Sequence, residues 1–178
     1  MRPSATLLFV SAFAAIASAL AGEVVDVGQN GFTIRQSVVV ASPPERAYAA
    51  VLENLGKWWD ADHTWSHDSA NLSIEARAGG CWCERLPGGG AVRHMTLVFF
   101  SPGKLLRFEG GLGPLQAMGI AGVMTWTFHP QEKGASVELR YVVGGYNPAG
   151  FKDLAPVVDA VLRGQLERYR QFVDTGKP

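Results

Sequence analysis

VVVASPPERAYAAVLENLGKWWD, residues 38–60, changes its period partway along. Its first residues finish a β-branched run, FTIRQSVVVA (32–41), that reads as a strand. Ser42-Pro43-Pro44-Glu45 comes next: serine at the N-cap, proline at the first helical position and glutamate three residues after the serine predict a helix start. Ala47, Tyr48, Val51, Leu52 and Leu55 then keep the i+3/i+4 spacing of one buried helical face, and Asn54-Leu55-Gly56 supplies a stop ahead of Trp58-Trp59. A strand that leads directly into an amphipathic helix points to an α+β domain.

Downstream, residues 60–71 (DADHTWSHDSAN) carry no period and read as a loop. From 72 to 145 the period is two. Leu72/Ile74/Ala76, Leu106/Phe108, Met124/Trp126/Phe128 and Val137/Leu139/Tyr141/Val143 alternate with polar neighbours, as half-buried antiparallel strands do. Gly79-Gly80, Pro87-Gly88-Gly89-Gly90, Pro102-Gly103-Lys104 and Glu132-Lys133-Gly134 separate them, giving about six strands in a meander. Pro156 opens a long helix to about Val173, with Val158, Val161, Leu162, Leu166, Tyr169, Phe172 and Val173 as its apolar stripe. The order is strand, helix, a second short helix or turn, six strands, long helix. Only the last helix is long enough to cover the apolar face of a seven-stranded sheet, and a curled sheet leaves room for a cavity beneath it.

The composition bounds the function. A chain of 178 residues with 47% apolar and 18% charged residues is one ordinary domain, not a disordered tail. Lysine and arginine number 16 against 16 acids and do not cluster, which argues against nucleic acid. Two cysteines are too few for a disulfide scaffold. Upstream of the domain, Arg2, the apolar run Leu7–Ile16 and the small residues ending Ala19-Leu20-Ala21 read as a signal peptide over 1–21, with the domain at 22–178. The expectation is export, to a bacterial periplasm or beyond, with no stable membrane insertion after cleavage.

These elements resemble the START-like superfamily, the SRPBCC or Bet v1-like helix-grip group, and within it the polyketide cyclase/dehydrase and Aha1-like branches. The resemblance rests on residues 38–60, on Gly79-Gly80-Cys81-Trp82-Cys83-Glu84, which is similar to the G-G-x-[WF]-x-E turn of Aha1-like members, on the Trp126 strand and on the final helix. It implies a curved seven-stranded antiparallel sheet wrapped around a long C-terminal helix, with two short helices between strands 1 and 2. Members bind lipids, sterols, polyketides or hormones, and some catalyse cyclisation or hydrolysis. The export signal makes a cytosolic chaperone partner a poor carry-over.

The leading reading is therefore an exported protein that binds a small hydrophobic molecule, a lipid, polyketide or aromatic. A cyclase-like or hydrolytic enzyme using the same cavity is the alternative, and a protein-interaction or metal-binding module the third. Expected cavity residues are Trp59, Ile74, Cys81, Cys83, Leu97, Phe99, Phe108, Met124, Trp126, Phe128, Leu139, Tyr141, Val158, Leu162 and Leu166. Residues 110–122, GGLGPLQAMGIAG, read either as a flap at the cavity mouth or as a bulged edge strand. No cofactor is expected, and the oligomeric state is open.

Cys81 and Cys83 share a face. If Gly79-Gly80 is a two-residue hairpin loop, Ala78 pairs with Cys81 and both cysteines face the cavity, as buried thiols. A disulfide between them is not expected in a regular strand, where same-face Cα atoms lie about 6.6–7 Å apart, although a bulge would change that. His63 and His67, with Cys81, Cys83 or His94, are weak candidates for a soft metal site, because their segment does not read as helix. No G-x-S-x-G elbow occurs. Glu84 and His94 are the acid and histidine on strands near the hairpin, and the same parity turns Glu84 away from the cavity.

Overall fold

Eight antiparallel strands form one sheet in the computed structural model, which describes residues 21–178. The predicted signal peptide lies outside the described residues, Ala21 excepted. In chain order the strands are β1 (Ala21–Val27), β2 (Gly31–Val40), β3 (Leu72–Ile74), β4 (Gly80–Arg85), β5 (Ala91–Ser101), β6 (Leu105–Gly110), β7 (Ile120–Pro130) and β8 (Ala135–Gly145). Two α-helices accompany them, α1 (Pro44–Trp58) and α2 (Leu154–Thr175). Across the sheet the order is β1-β2-β8-β7-β6-β5-β4-β3. One crossover through α1 carries the chain from β2 to the far edge, and the meander returns it until β8 closes on β2.

The count differs from the expected seven strands because residues 21–27 pair with β2, Val27 opposite Phe32. Val24-Val25 ahead of Gly28-Gln29-Asn30-Gly31 supplies this additional strand and its turn. The two short helices expected between the first two strands are one fifteen-residue helix and two single 3₁₀ turns, Ala61–His63 and Ser69–Asn71. Gly56 does not stop α1, which continues to Trp58. A Cβ at Gly56 would stand 2.6 Å from the Ser69 carbonyl oxygen, so its small size lets the second 3₁₀ turn lie against the helix. Nor does Ser42 cap α1. Pro43 holds the N-cap position without a side-chain bond, and the Ser42 hydroxyl donates to the Val173 carbonyl, 3.2 Å away on α2.

Alternation fills the inner face. Phe32, Ile34, Val38 and Val40 of β2, Leu106 and Phe108 of β6, Met124, Trp126 and Phe128 of β7, and Val137, Leu139, Tyr141 and Val143 of β8 are all buried. Leu162, Leu166 and Tyr169 of α2 press onto them, and Trp58, Trp126 and Tyr169 meet edge to face at 5.3–6.2 Å. Each such pair adds about 1 kcal/mol beyond its buried area. Buried and half-buried polar groups fix the helices. Gln36 donates to the Asp159 carbonyl and carboxylate at 2.7 and 2.8 Å, the Tyr169 hydroxyl to Ala47 at 2.7 Å, and Arg168 to the Trp58 carbonyl at 2.9 Å.

Candidate functional site

Side chains fill the gap between sheet and α2 along most of its length. Leu97, Phe108, Met124, Trp126, Phe128, Leu139, Tyr141 and Leu166, all expected on a cavity wall, are buried in this packing. At one end the gap opens into a cavity of about 320 Å³. Trp59, Val158 and Leu162 are the expected residues on its wall, joined by Leu72, Trp82 and His94 from the sheet and by Leu112–Leu115. Leu154, Val157 and Val161 of α2 and Asp62–Trp65 complete it. Ile74 is half-buried and borders a separate depression beside α1. The glycine-rich segment forms the loop between β6 and β7, and its 3₁₀ turn Gly113–Leu115 makes one lip. Gln116 ties that loop to β5 by donating to the Arg93 carbonyl.

Two β-bulges decide which side chains reach the cavity. Between β4 and β5 the register runs Trp82↔Met95 and then Cys83↔Arg93, leaving His94 as the extra residue. Consecutive residues His94 and Met95 consequently both face inward, 5% and 1% exposed. Between β5 and β6 it runs Leu97↔Phe108 and then Phe99↔Arg107, with Val98 extra. Alternation from Leu97 would bring Phe99 inside. The bulge instead turns it out, where it is 49% exposed beneath the Arg107 guanidinium, 5.6 Å from its ring centre.

The parity expected for the β3–β4 hairpin is reversed. Ile74 pairs with Trp82, and the Glu75 N–H donates to the Cys81 carbonyl at 2.9 Å, so the loop is the five residues 75–79 rather than Gly79-Gly80. Glu75, not Ala78, stands opposite Cys81, and a shift by an odd number of residues exchanges the faces of the strand. Trp82 and Glu84 point in; Cys81 and Cys83 lie half-buried on the outer face. The cysteines are joined in a disulfide, with Cα atoms 5.3 Å apart where the register breaks. The irregular strand brings them into the range a regular one denies.

Glu84 is fully buried and anchors the mouth of the cavity. Its Oε1 accepts the Ser66 N–H at 2.5 Å, and its Oε2 accepts the Trp65 N–H at 3.1 Å and His94 Nε2 at 2.9 Å. Burial pushes its carboxyl pKa up, but the Ser66 side chain and amide, the Trp65 amide and His94 outweigh this and hold the group below its ordinary value. The loop that carries Trp65 is tied at other points as well. The Asp60 N–H donates to Gln165 of α2 at 2.9 Å, and the Trp59 indole to the His63 carbonyl at 3.2 Å. Trp59 stands edge-on to Trp82 with ring centres 5.2 Å apart, and Trp82 to Phe108 at 5.5 Å, which makes a rigid aromatic wall.

The candidate metal ligands are not brought together. His63 is exposed at the mouth, and His67 is exposed with a φ of +56°. Both cysteines are engaged with each other on the opposite face of the sheet. Among the described residues no three histidine, cysteine, aspartate or glutamate side chains gather as a metal site. No helix among them is long and apolar enough to cross a membrane.

The sequence profile of the family described as polyketide cyclase / dehydrase and lipid transport matches residues 31–173. A comparison with curated proteins found no match. Among solved structures, the chain is similar to EF2215 from Enterococcus faecalis, a conserved protein of unknown function, at 14% identity and TM-score 0.62, covering 92% of this chain and 80% of that one. It is similar to CV1439 from Chromobacterium violaceum at 21% identity and TM-score 0.58, covering 80% and 96%. It is also similar to the di-domain ARO/CYC StfQ from the steffimycin biosynthetic pathway, at 18% identity and TM-score 0.57, covering 82% of this chain and 51% of StfQ. These likenesses are of fold.

Proposed function

The chain belongs to the polyketide cyclase / dehydrase and lipid transport family, and from that premise we propose that it binds one small, largely apolar molecule between the Trp59–Trp65 loop, the Leu112–Leu115 lip and the first half of α2. The observation that carries this reading is the open cavity itself. Along most of α2 buried side chains occupy the sheet–helix gap, yet here about 320 Å³ stays open behind Trp59, Trp82, Leu115 and Leu162. That volume is at the small end of ligand pockets and about twice the ~150 Å³ cavity that takes up benzene. It suits a body of one or two rings better than a long acyl chain.

Native mass spectrometry of protein from an exporting host, with naphthalene titration followed by indole NMR, tests the proposal. A guest lost on denaturation, or saturable shifts at the Trp59 and Trp82 indoles, is the expected result. A bare chain whose indoles ignore every apolar probe refutes it. His94 on the cavity wall, hydrogen-bonded to the buried Glu84, supports a second reading, acid–base catalysis on the bound molecule, as in a cyclase. Turnover of a cyclisable polyketone lost in His94→Ala would favour it.

We also propose that the protein works outside the cytoplasm. The signal-like segment 1–21 and the Cys81–Cys83 disulfide support that location. Cell fractionation with N-terminal sequencing of the mature chain tests it.

A further inference from the structure

Within the cavity one buried polar side chain has an unoccupied valence. Thr64 is engaged through its hydroxyl, which donates to the Ala61 carbonyl at 2.7 Å, and Asp62 and His63 are exposed at the rim. His94 is 5% exposed and borders the cavity. Its Nε2 lies 2.9 Å from Glu84 Oε2. Around that carboxylate the other partners, the Trp65 and Ser66 amides and the Ser66 side chain, all favour its ionised form, so Glu84 is an acceptor and the imidazole proton sits on Nε2. In the neutral ring Nδ1 then holds a lone pair. Among the described residues Nδ1 has no hydrogen-bond donor, and it is not among the side-chain atoms sealed off without a partner, which are Gln36 Oε1 and Trp126 Nε1. Its ring borders the cavity.

We infer that His94 is the specificity-determining residue of this cavity, reading an O–H on the bound molecule, so that the ligand is an apolar ring system bearing a phenolic, enolic or alcoholic hydroxyl. The inference rests on the binding reading above. A hydroxyl gives its proton to Nδ1 and satisfies the one acceptor that an all-apolar guest leaves bare. An ether or carbonyl at the same place sets lone pair against lone pair. The acceptor is preorganised: the bulge in β5 aims the ring, Glu84 fixes its tautomer, and Trp82 on the neighbouring strand walls the same cavity.

Three probes of one size test it: naphthalene, 1-naphthol and 1-methoxynaphthalene, titrated against the ¹⁵N-histidine-labelled full mature chain. 1-Naphthol is expected to bind about three- to tenfold tighter than the other two, the yield of one neutral hydrogen bond. It alone should move the Nδ1 resonance of His94. In His94→Phe, whose ring is of similar size and carries no acceptor, the three probes should bind within about twofold of one another. Equal affinities in the wild type, with the indole shifts intact, would overturn the inference and leave the binding reading standing. An imidazolium carrying protons on both nitrogens in the 1-naphthol complex would overturn it too. Failure of all three probes to bind would refute the binding reading and this inference with it.

Discussion

Replacing Glu84 by glutamine keeps the shape of a fully buried side chain and changes one oxygen into an NH₂ group. Three N–H donors converge on the native carboxylate, two on Oε2 and one on Oε1. The better amide rotamer leaves its oxygen toward Trp65 and His94 and turns its NH₂ against the Ser66 N–H. Two donors, the Ser66 N–H and the new NH₂, are then left facing each other without an acceptor, an orphaned donor costing about 1–3 kcal/mol, and two charge-assisted bonds become ordinary ones. The expected loss is at least about 3 kcal/mol, or about 6–12 °C in Tm for a domain of this size. Thermal and urea unfolding of Glu84→Gln beside Glu109→Gln, an exposed glutamate of β6, measures it. pH supplies a second readout. The folded-state pKa of Glu84 lies below its ordinary value of 4.5. Its contribution is therefore complete above that value and is lost as pH falls through the folded-state pKa. The gap between wild type and Glu84→Gln should be widest at pH 7 and close in strong acid. A gap below about 0.5 kcal/mol at pH 7, or one that widens on acidification, would refute the role given to this carboxylate.

Val158→Trp, placing a large ring in the cavity from a half-buried position on α2, should weaken naphthalene binding at least about tenfold while Tm holds within a few degrees, as calorimetry and thermal melts will show. Cys81→Ser/Cys83→Ser should cost about 1.6 kcal/mol, the small loop-closure entropy of a three-residue ring, read by urea unfolding. Because both cysteines lie on the outer face, the same variant should bind naphthalene within about twofold of wild type, and a larger loss would put them back at the cavity. Gly110→Ala would bring a Cβ to 2.5 Å from the His94 carbonyl oxygen and 2.8 Å from the Met95 Cα at a φ of +151°. It should cost about 1–3 kcal/mol and displace the His94 ring resonances in NMR spectra.

Elements whose signal is local are legible in the sequence. The alternation of Met124/Trp126/Phe128 and Val137/Leu139/Tyr141/Val143 appears unchanged as buried faces, and the stripe of α2 lies against them. What depends on length and register is not legible. Gly79-Gly80 looks like a complete hairpin loop, but closure starts at Glu75, and that odd offset exchanged the faces of Trp82 and Glu84 with those of the cysteines. The bulges at His94 and Val98 leave no mark in composition, so Phe99 was expected inside and His94 had no assigned face. Ser42-Pro43-Pro44-Glu45 meets every requirement of a cap, yet tertiary contact with Val173 takes the serine hydroxyl. The cavity is smaller than the sheet–helix gap because volume depends on how Trp126, Phe128 and Leu139 pack together, which spacing does not encode. Trp65 and Leu112–Leu115 had a signal, an apolar residue in a polar loop and an apolar glycine-rich segment, and both stand at the mouth.

The bulge in β5 makes chain length, not side-chain identity, the determinant of what faces the cavity. Were Arg93 deleted, Met95 would stay opposite Trp82 and Val92 opposite Glu84, while His94 would take the vacated place opposite Cys83 and turn to the outside. The ladder would be regular and the hydrophobic face intact. Glu84 would lose its imidazole, and the cavity the histidine on its wall. A gain or loss of polar recognition here thus takes a single-codon insertion or deletion, which a comparison counting only substitutions passes over. Two relatives with the same histidine in the same strand, one residue apart in length, would present opposite chemistry to a guest.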